Sequence, residues 1–336
     1  MVQPDSLQRG TDRISRRSFL TTETHDADTH SRCITGWNCS YGHVGRQTFR
    51  GKVTELCLWP IQIFRDRLDQ PCVWRGSAWS GAIIFSSFVT AGGKLLFDGR
   101  QVAANAVTVV PWNFTEQFFC SAPTDSLTIA VQEEALAVHA QKLLGREVSR
   151  EALRRCHAII RAEAVEEYLR CTTATLGELG TSPRLLDSDH YRQSIKDRVL
   201  DMLVRLLDPS LVESWQMPPP STRSYVVAKA TQYIEAHLAD PLVMSDVCQA
   251  TRVSPRTLRY SFEEIVGVTP SQYLLGLRLA RARQGLQRAK AGSSVHCIAE
   301  RCGFAHMGRF AQFYSAAFGE YPSDTLQTAG KKLVAS

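Results

Sequence analysis

The sequence predicts an α+β fold in two parts: an N-terminal domain resembling a β-barrel or jelly roll with a helical element, and an all-α C-terminal domain. Three observations lead to this expectation. The length of 336 residues suits roughly two domains of about 150 residues each. Apolar residues follow a strand-like pattern first and a helical pattern later. Three consecutive prolines, Pro218 to Pro220, stand where the charge of the chain changes.

The composition is that of an ordinary folded protein. Hydrophobic residues make up 44% and charged residues 21%, which excludes wholesale disorder and collagen-like structure. The longest apolar runs are too short for a membrane span, and the first residues have no apolar segment typical of a secretory signal. The ten cysteines scatter without a Cys-x-x-Cys pair, so we expect reduced thiols in a cytoplasmic protein.

Residues 1–48 are rich in Ser, Thr, Asp, Arg and His, and no helical or strand period is visible in them. We therefore expect a disordered polar tail. This segment contains residues that can bind metals, among them His25, His30 and Cys33, but their spacing fits no zinc module. No metal site is predicted.

Residues 49–214 are expected to form one domain, and its first half has the pattern of a β structure. From Lys52 to about Gln132, short runs rich in β-branched and aromatic residues alternate with turn-forming residues. Many short strands at such spacing are typical of a sandwich or jelly-roll barrel. Asp98-Gly99, between two apolar runs, predicts a tight hairpin.

The second half of this domain has a helical period. The sequence predicts one helix ending at Gly145, a second over 149–170 and a third over 190–208. In the third helix Ile195, Val199, Met202 and Leu206 form one apolar stripe. A stripe of this kind either covers the barrel or meets a second subunit, and the pattern favours neither alternative.

Residues 215–224 are predicted to be a proline-rich linker, and the charge changes at this point. From Ser221 to the end the chain has 14 Lys and Arg against 8 Asp and Glu, a net charge of +6, whereas the first 220 residues are neutral overall. A basic domain beside a neutral one suggests that the basic part binds a polyanion.

The basic part contains the same helical pattern twice. The C-terminal domain is predicted over 225–329, followed by a tail over 330–336. Residues 244–267 predict a helix, a tight turn and a second helix, with Ser254 as N-cap and Pro255 at the first helical position. Residues 294–319 repeat this design about 50 residues later. A basic helix of about 20 residues joins the two helix-turn-helix units, which suits two successive major grooves of DNA.

The stretch 225–329 resembles the DNA-binding domain of the AraC/XylS family of bacterial transcription regulators. The resemblance is carried by VSPRTLRYSFEEIVGVTPSQYLLGLRLARAR and IAERCGFAHMGRFAQFYSAAFGEYPSDTL. The motif Gly-Phe-x-His-Met-Gly-Arg-Phe, together with Phe49-Arg50-Gly51-Lys52, resembles the subtype of this family that includes the ethanolamine-operon regulator. Two positions depart from the family pattern: Arg252 stands where the first turn usually has Gly, and Gly308 occupies an outward position of the last reading helix.

The resemblance implies DNA contacts from the outward faces of the second helix of each unit. Arg presents two donors to guanine, and Gln can pair with adenine; for each residue, contact with phosphate is the alternative. In the helix that joins the units, Arg281 is expected to contact phosphate. The candidates on the two reading helices are Arg256, Thr257, Arg259 and Tyr260 in the first unit, and His306, Met307, Arg309 and Gln312 in the second.

The β region contains four tryptophans that are candidates for lining an effector pocket: Trp59, Trp74, Trp79 and Trp112. Small-molecule sites are mostly apolar with a few polar groups, although packing in the core is the alternative for any one of them. No catalytic residue, cofactor or metal is predicted.

The function expected from these features is that of a sequence-specific DNA-binding transcription regulator whose N-terminal domain responds to a small metabolite. The resemblance implies an activator that recruits RNA polymerase at promoter DNA. We expect a homodimer in the bacterial cytoplasm, associated with the nucleoid and not with a membrane. Residues 49–214 are expected to be its effector-sensing and dimerisation domain, with the helices as the dimerisation element. One alternative is an architectural or partner-responsive regulator without a small ligand. A more remote one is an enzyme acting on DNA, which needs a reactive Cys, paired carboxylates or a metal cluster.

Overall fold

The structure, a computed structural model, describes residues 18–43, 49–91, 93–97, 100–103, 106–112, 116–145, 157–159, 162–207, 222–238, 240–289 and 292–334. Strands occupy the N-terminal part of these residues, and the part after residue 221 is entirely helical. None of the described helices is long and apolar enough to cross a membrane.

Twelve strands in the described part of the chain form two antiparallel sheets. The first sheet has the order β1-β3-β4-β11-β6-β9-β12, and the second has the order β2-β5-β10-β7-β8. The strands are β1 (Ser18–Thr24), β2 (Asn38–His43), β3 (Gly51–Leu58), β4 (Ile61–Leu68), β5 (Cys72–Ser77), β6 (Ala82–Ala91), β7 (Leu95–Phe97), β8 (Arg100–Gln101), β9 (Val107–Pro111), β10 (Glu116–Cys120), β11 (Thr124–Gln132) and β12 (His157–Ile159).

Central strands of the seven-stranded sheet bury side chains on both faces, since successive side chains of a strand point to opposite sides. On β6, Ile83 and Phe85 pack with the helices of this domain, whereas Ile84 packs toward the five-stranded sheet. The helices are α1 (Ala27–Ser31), α2 (Glu133–Leu144), α3 (Ala162–Thr181) and α4 (Asp189–Leu207). Tyr168 of α3 fixes its helix to the sheet by donating a hydrogen bond to the Phe85 carbonyl at 2.8 Å.

The structure confirms the α+β class, a sheet-containing N-terminal part and a helical C-terminal part, but it corrects the predicted barrel. The two sheets are separate hydrogen-bonded ladders that do not close into a barrel. The hairpin predicted at Asp98-Gly99 agrees with the pairing of Phe97 with Arg100, although the two turn residues lie outside the described part. α2 ends as expected, with Gly145 in the left-handed conformation at φ 66°.

The N-terminal prediction was wrong for the residues that are described. Instead of a disordered tail, Ser18–His43 carries β1, α1 and β2, and every residue of β1 pairs with β3. Polar side chains are compatible with an edge strand because one of its faces meets solvent. The predicted helix over 149–170 is also partly wrong, since β12 pairs with β9 and α3 begins only at Ala162.

The apolar stripe of α4 packs within its own chain. Ile195, Val199, Met202 and Leu206 are all buried in the cluster that α4 shares with the seven-stranded sheet. These side chains are therefore buried within the chain, in the apolar layer where α4 packs against α2 and α3, and not at a contact with a second subunit.

The substitution Leu206→Asp is expected to unfold the N-terminal domain, because Leu206 is only 2% exposed. An uncompensated buried charge costs on the order of 3–5 kcal/mol. Thermal unfolding followed by tryptophan emission measures the effect, since all six tryptophans lie before residue 216. The neighbouring exposed residue provides the control, Arg205→Ala. A Leu206→Asp protein that sediments as a folded monomer would contradict this packing.

The C-terminal part contains seven described helices, and one long helix belongs to both halves. Tyr273 and Leu274 of this helix pack with the first half, whereas Leu279, Ala282 and Leu286 pack with the second. The part of the predicted linker up to Ser221 lies outside the described residues. The helices are α5 (Thr222–Ala236), α6 (Met244–Thr251), α7 (Pro255–Ile265), α8 (Pro270–Gln287), α9 (Val295–Arg301), α10 (Met307–Phe318) and α11 (Pro322–Val334).

Candidate nucleic-acid interface

The first helix-turn-helix unit consists of α6 and α7 and is fixed by local signals in the sequence. The Ser254 side chain accepts a hydrogen bond from the Thr257 amide at 3.1 Å, so it caps α7 as predicted. Leu258, Phe262 and Ile265 are buried on the inward face of α7. Helix α7 is therefore held with one fixed face toward solvent.

The turn between α6 and α7 contains an unusual backbone conformation. Arg252 has φ 58°, a left-handed conformation that non-glycine residues adopt at a cost of about 1–2 kcal/mol. The turn of the second unit contains Gly303 at φ 82°, where an added Cβ would lie 2.9 Å from the Arg278 guanidinium. Arg252 thus keeps the turn geometry despite standing where the family has Gly.

All four candidates on α7, Arg256, Thr257, Arg259 and Tyr260, are exposed. The Arg256 guanidinium lies 5.4 Å from the centre of the Tyr260 ring. Arg259 Nε donates to Glu263 Oε1 at 2.7 Å, and this hydrogen bond and charge raise the pKa of Arg259. Both arginines reach solvent from the outward surface of α7.

The second unit, α9 and α10, repeats the first with an N-cap at His306. Phe310 and Tyr314 are buried on the inward face of α10, whereas Phe313 is 40% exposed. Of the four candidates here, His306, Arg309 and Gln312 are exposed and Met307 is half-buried.

Counting from the two N-caps shows that the reading helices are not copies in their outward residues. Position two is Arg256 in α7 and Gly308 in α10, and position three is Thr257 and Arg309. The outward arginines therefore lie one residue apart in register. The two helices present different chemistry on the same scaffold.

Helix α8 connects the units as a single rigid element. A capping box between Thr269 and Gln272 begins it, and its 18 residues span about 27 Å at 1.5 Å per residue. Each unit packs against its own set of buried α8 residues. The spacing of the two units is therefore fixed by packing and not by a flexible loop.

Two of the three arginines of α8, and Arg288 directly after its end, contact other parts of the protein. Arg278 donates to the Leu242 carbonyl at 3.1 Å. Arg283 pairs with Glu320 at 3.3 Å and lies over the Phe318 ring, and Arg288 approaches Asp28 at 3.6 Å. Arg281 is exposed and borders an opening between α8 and the five-stranded sheet.

A cavity of about 60 Å³ lies between the two sheets of the N-terminal part. Of the four candidate tryptophans, Trp74 lines it. Trp79 is 2% exposed in the neighbouring core and donates to Gln62 at 2.9 Å. Trp59 packs against Trp79 with ring centres 5.4 Å apart, and Trp112 packs against the same cluster.

One carboxylate in the wall of this cavity was missed by the sequence analysis. Asp66 Oδ1 lies 2.9 Å from His30 Nε2, and Asp66 Oδ2 accepts a hydrogen bond from the Tyr41 hydroxyl at 2.6 Å. Burial, together with the charge of Asp66, raises the pKa of Tyr41 well above its usual value. His30 and Tyr41 belong to the segment predicted to be disordered, so no pattern in the sequence connected them with Asp66.

The five-stranded sheet separates this cavity from the C-terminal helices. On β5, Trp74 lines the cavity, whereas Val73 belongs to the apolar cluster of the first helix-turn-helix unit. On β10, Phe118 lines the cavity, whereas Phe119 belongs to that apolar cluster. Side chains of alternate residues therefore contact both the cavity and the basic domain.

The C-terminal part of the chain is similar in sequence to known transcription regulators. A family model described as a helix-turn-helix domain matches residues 247–328. The chain is 41% identical over 104 residues to the probable thc operon regulatory protein of Rhodococcus erythropolis, covering 31% of each protein. It is 33% identical over 109 residues to the XylDLEGF operon transcriptional activator 2 of Pseudomonas putida, covering 32% of this chain and 69% of that protein.

A solved structure of a probable AraC family transcriptional regulator from Rhodopseudomonas palustris CGA009 is also similar. The two are 32% identical, with 31% of this chain and 97% of that chain covered and a TM-score of 0.30. The chain thus spans about a third of the length of the Rhodococcus relative and two thirds of the Pseudomonas one. Both sequence matches cover about a third of this chain.

Proposed function

Because the chain belongs to the AraC/XylS family of transcriptional regulators, we propose that it is a sequence-specific DNA-binding activator whose N-terminal domain responds to a small molecule. The observation that carries the DNA-binding half is the pair of reading helices, α7 and α10, packed on one connecting helix in a part of the chain with a net charge of +6. Each reading helix exposes side chains that can donate to base edges.

The two units bind successive major grooves on one face of the duplex. Reading helices that occupy successive grooves are about 34–36 Å apart, and the length of α8, about 27 Å, is suited to hold them near that spacing. Arg256 and Arg309 contact guanine, and Gln312 contacts adenine. Arg259, His306 and Tyr260 contact either bases or phosphates, and Arg281 binds phosphate.

Sensing works through the five-stranded sheet. Val73, Leu96 and Phe119 pack into the cluster of the first unit, while their strand neighbours line the cavity. A ligand in the cavity changes the packing of these strands and so favours one placement of the basic domain over another.

Polar contacts reinforce the seam between the two domains. Arg75 of β5 pairs with Glu235 of α5, and Lys94 lies 3.8 Å from Glu264 of α7. Gln284 of α8 donates to Asp28 of α1 at 2.9 Å. The seam contacts both a reading helix and the connecting helix, which are the elements that a regulatory signal has to reach.

The family membership further supports a homodimer that recruits RNA polymerase at a promoter. The buried stripe of α4 is not the subunit contact in this proposal, because its side chains are used within the chain.

The DNA-binding half is tested by fluorescence anisotropy with the full chain and DNA from upstream of its own gene. Specific DNA is expected to bind about 10³–10⁷ times more tightly than a scrambled duplex at the same salt concentration. A ratio near one would contradict sequence-specific binding. The sensing half requires that a ligand of the N-terminal domain shifts this ratio; identical footprints with and without ligand would favour the ligand-free alternative.

A further inference from the structure

The cavity between the two sheets has walls of two kinds. Aromatic rings form one side: Trp37 and Trp74 have ring centres 6.0 Å apart, and Phe118 lies 6.0 Å from Trp74 and 5.7 Å from Phe88. Hydroxyl groups form the other, where Ser86 and Thr128 lie 3.1 Å apart. A ligand in this cavity meets ring faces together with hydrogen-bonding groups.

Asp66 is the one Asp, Glu, Lys, Arg or His among the described residues that line the cavity. Its partner His30 is fully buried and does not line the cavity, so a ligand meets the carboxylate and not the imidazole. A carboxylate has about four acceptor positions. His30 and Tyr41 use one on each oxygen, which leaves acceptor capacity for a ligand.

The aromatic rings and Asp66 both favour a positively charged ligand in the cavity. The faces of aromatic rings carry partial negative charge and attract cations, most strongly when water is excluded. The charge of Asp66 reaches the cavity, since after burial it is the next largest cause of the raised pKa of Cys72, another lining residue. An anionic ligand would be repelled by Asp66 and would find no lysine or arginine among the described lining residues.

We infer that this cavity binds a small organic cation with N–H donors, such as a short primary ammonium, by contact with Asp66 and the rings of Trp74 and Phe118. The cavity volume of about 60 Å³ limits the ligand to a few heavy atoms, because on the same measure about 10–15 Å³ is needed to hold one water molecule. The inference rests on the proposed function, in which the same cavity is the sensing site.

Three compounds of four heavy atoms each separate charge from size. The full chain is titrated with n-propylammonium chloride, 1-propanol and sodium acetate at constant ionic strength, and binding is followed by thermal unfolding and tryptophan emission. We expect a saturable stabilisation by n-propylammonium at concentrations at least tenfold lower than any effect of 1-propanol, and none by acetate. Equal effects of 1-propanol or acetate, or no binding by any compound, would overturn the inference.

Substitutions locate the binding site. Asp66→Asn is expected to reduce the preference for n-propylammonium over 1-propanol to near one, whereas Asp240→Asn, at an exposed position of the C-terminal part, leaves it unchanged. Trp74→Leu removes one ring and is expected to weaken binding of the ammonium compound several-fold while sparing Asp66. A preference unaffected by both Asp66→Asn and Trp74→Leu would place the binding elsewhere and contradict the inference.

DNA affinity measured on the same samples distinguishes the two proposals. Stabilisation by n-propylammonium without any change in DNA binding would support the ligand class and contradict the proposed coupling. If the unmodified protein shows no sequence-specific DNA binding, the proposed function as a regulator is contradicted. The ligand class is then judged from the titration with the three compounds alone.

Discussion

Binding of the full chain to duplex DNA is expected to weaken by about 10³ to 10⁵ between 50 and 200 mM salt, if the two units together contact about six to ten phosphates. The physical reason is counterion release: each phosphate neutralised by Lys or Arg adds ~0.9 to the slope of log affinity against log salt. The excess charge of +6 lies entirely after residue 220. Anisotropy titrations at several salt concentrations measure the slope.

A matched pair of arginine variants identifies which part of the chain contributes to the slope. Arg281→Ala is expected to lower it by ~0.9 and to weaken all sequences alike. Arg184→Ala, an equally exposed arginine before α4, leaves the slope unchanged. An affinity that is independent of salt would contradict DNA binding by the basic domain.

The double substitution Arg256→Ala with Arg309→Ala is expected to cost the sum of the two single losses. Each lost bidentate contact to guanine costs about 1–3 kcal/mol, so the double variant loses about 2–6 kcal/mol of binding free energy, or a factor of about 30 to 10⁴. Additivity is expected because α7 and α10 pack in different apolar clusters on the two halves of α8, and substitutions without shared partners usually act independently.

The measurement needs two controls, one for the location of the lost contacts and one for folding. Arg205→Ala with Arg184→Ala removes two exposed arginines from the N-terminal part and is expected to leave affinity for the specific site unchanged. Unfolding curves of each variant show that folding is intact. If the Arg309→Ala change costs nothing once Arg256 is replaced, then the second unit does not read DNA independently.

Local signals made the C-terminal domain predictable. The Ser254 cap, Pro255 at the start of α7 and the apolar residues Leu258 and Phe262 act within one or two helical turns, so their consequences can be deduced from the sequence. The exposure of the candidates on α7 follows from the same period. The helical period did not predict the contacts that Arg278, Arg283 and Arg288 make within the protein, because their partners lie on other elements.

Pairing over long distances made the N-terminal domain harder to predict. The polar strand β1 is stabilised by β3, which lies about 30 residues away, and not by its own composition. Asp66 meets His30 and Tyr41 across 36 and 25 residues. The stripe of α4 showed that a helix face is buried, but a stripe does not identify what it packs against.

The most direct test of the account is selection of binding sites from random duplex DNA by the full chain, repeated with Arg256→Ala and with Arg309→Ala. The account predicts a motif of two halves about one helical turn apart. Arg256→Ala should lose base preference in one half only, and Arg309→Ala in the other half only. A single half-site, or the same altered position with both variants, would contradict a double reading head in which α8 holds two independent readers of sequence.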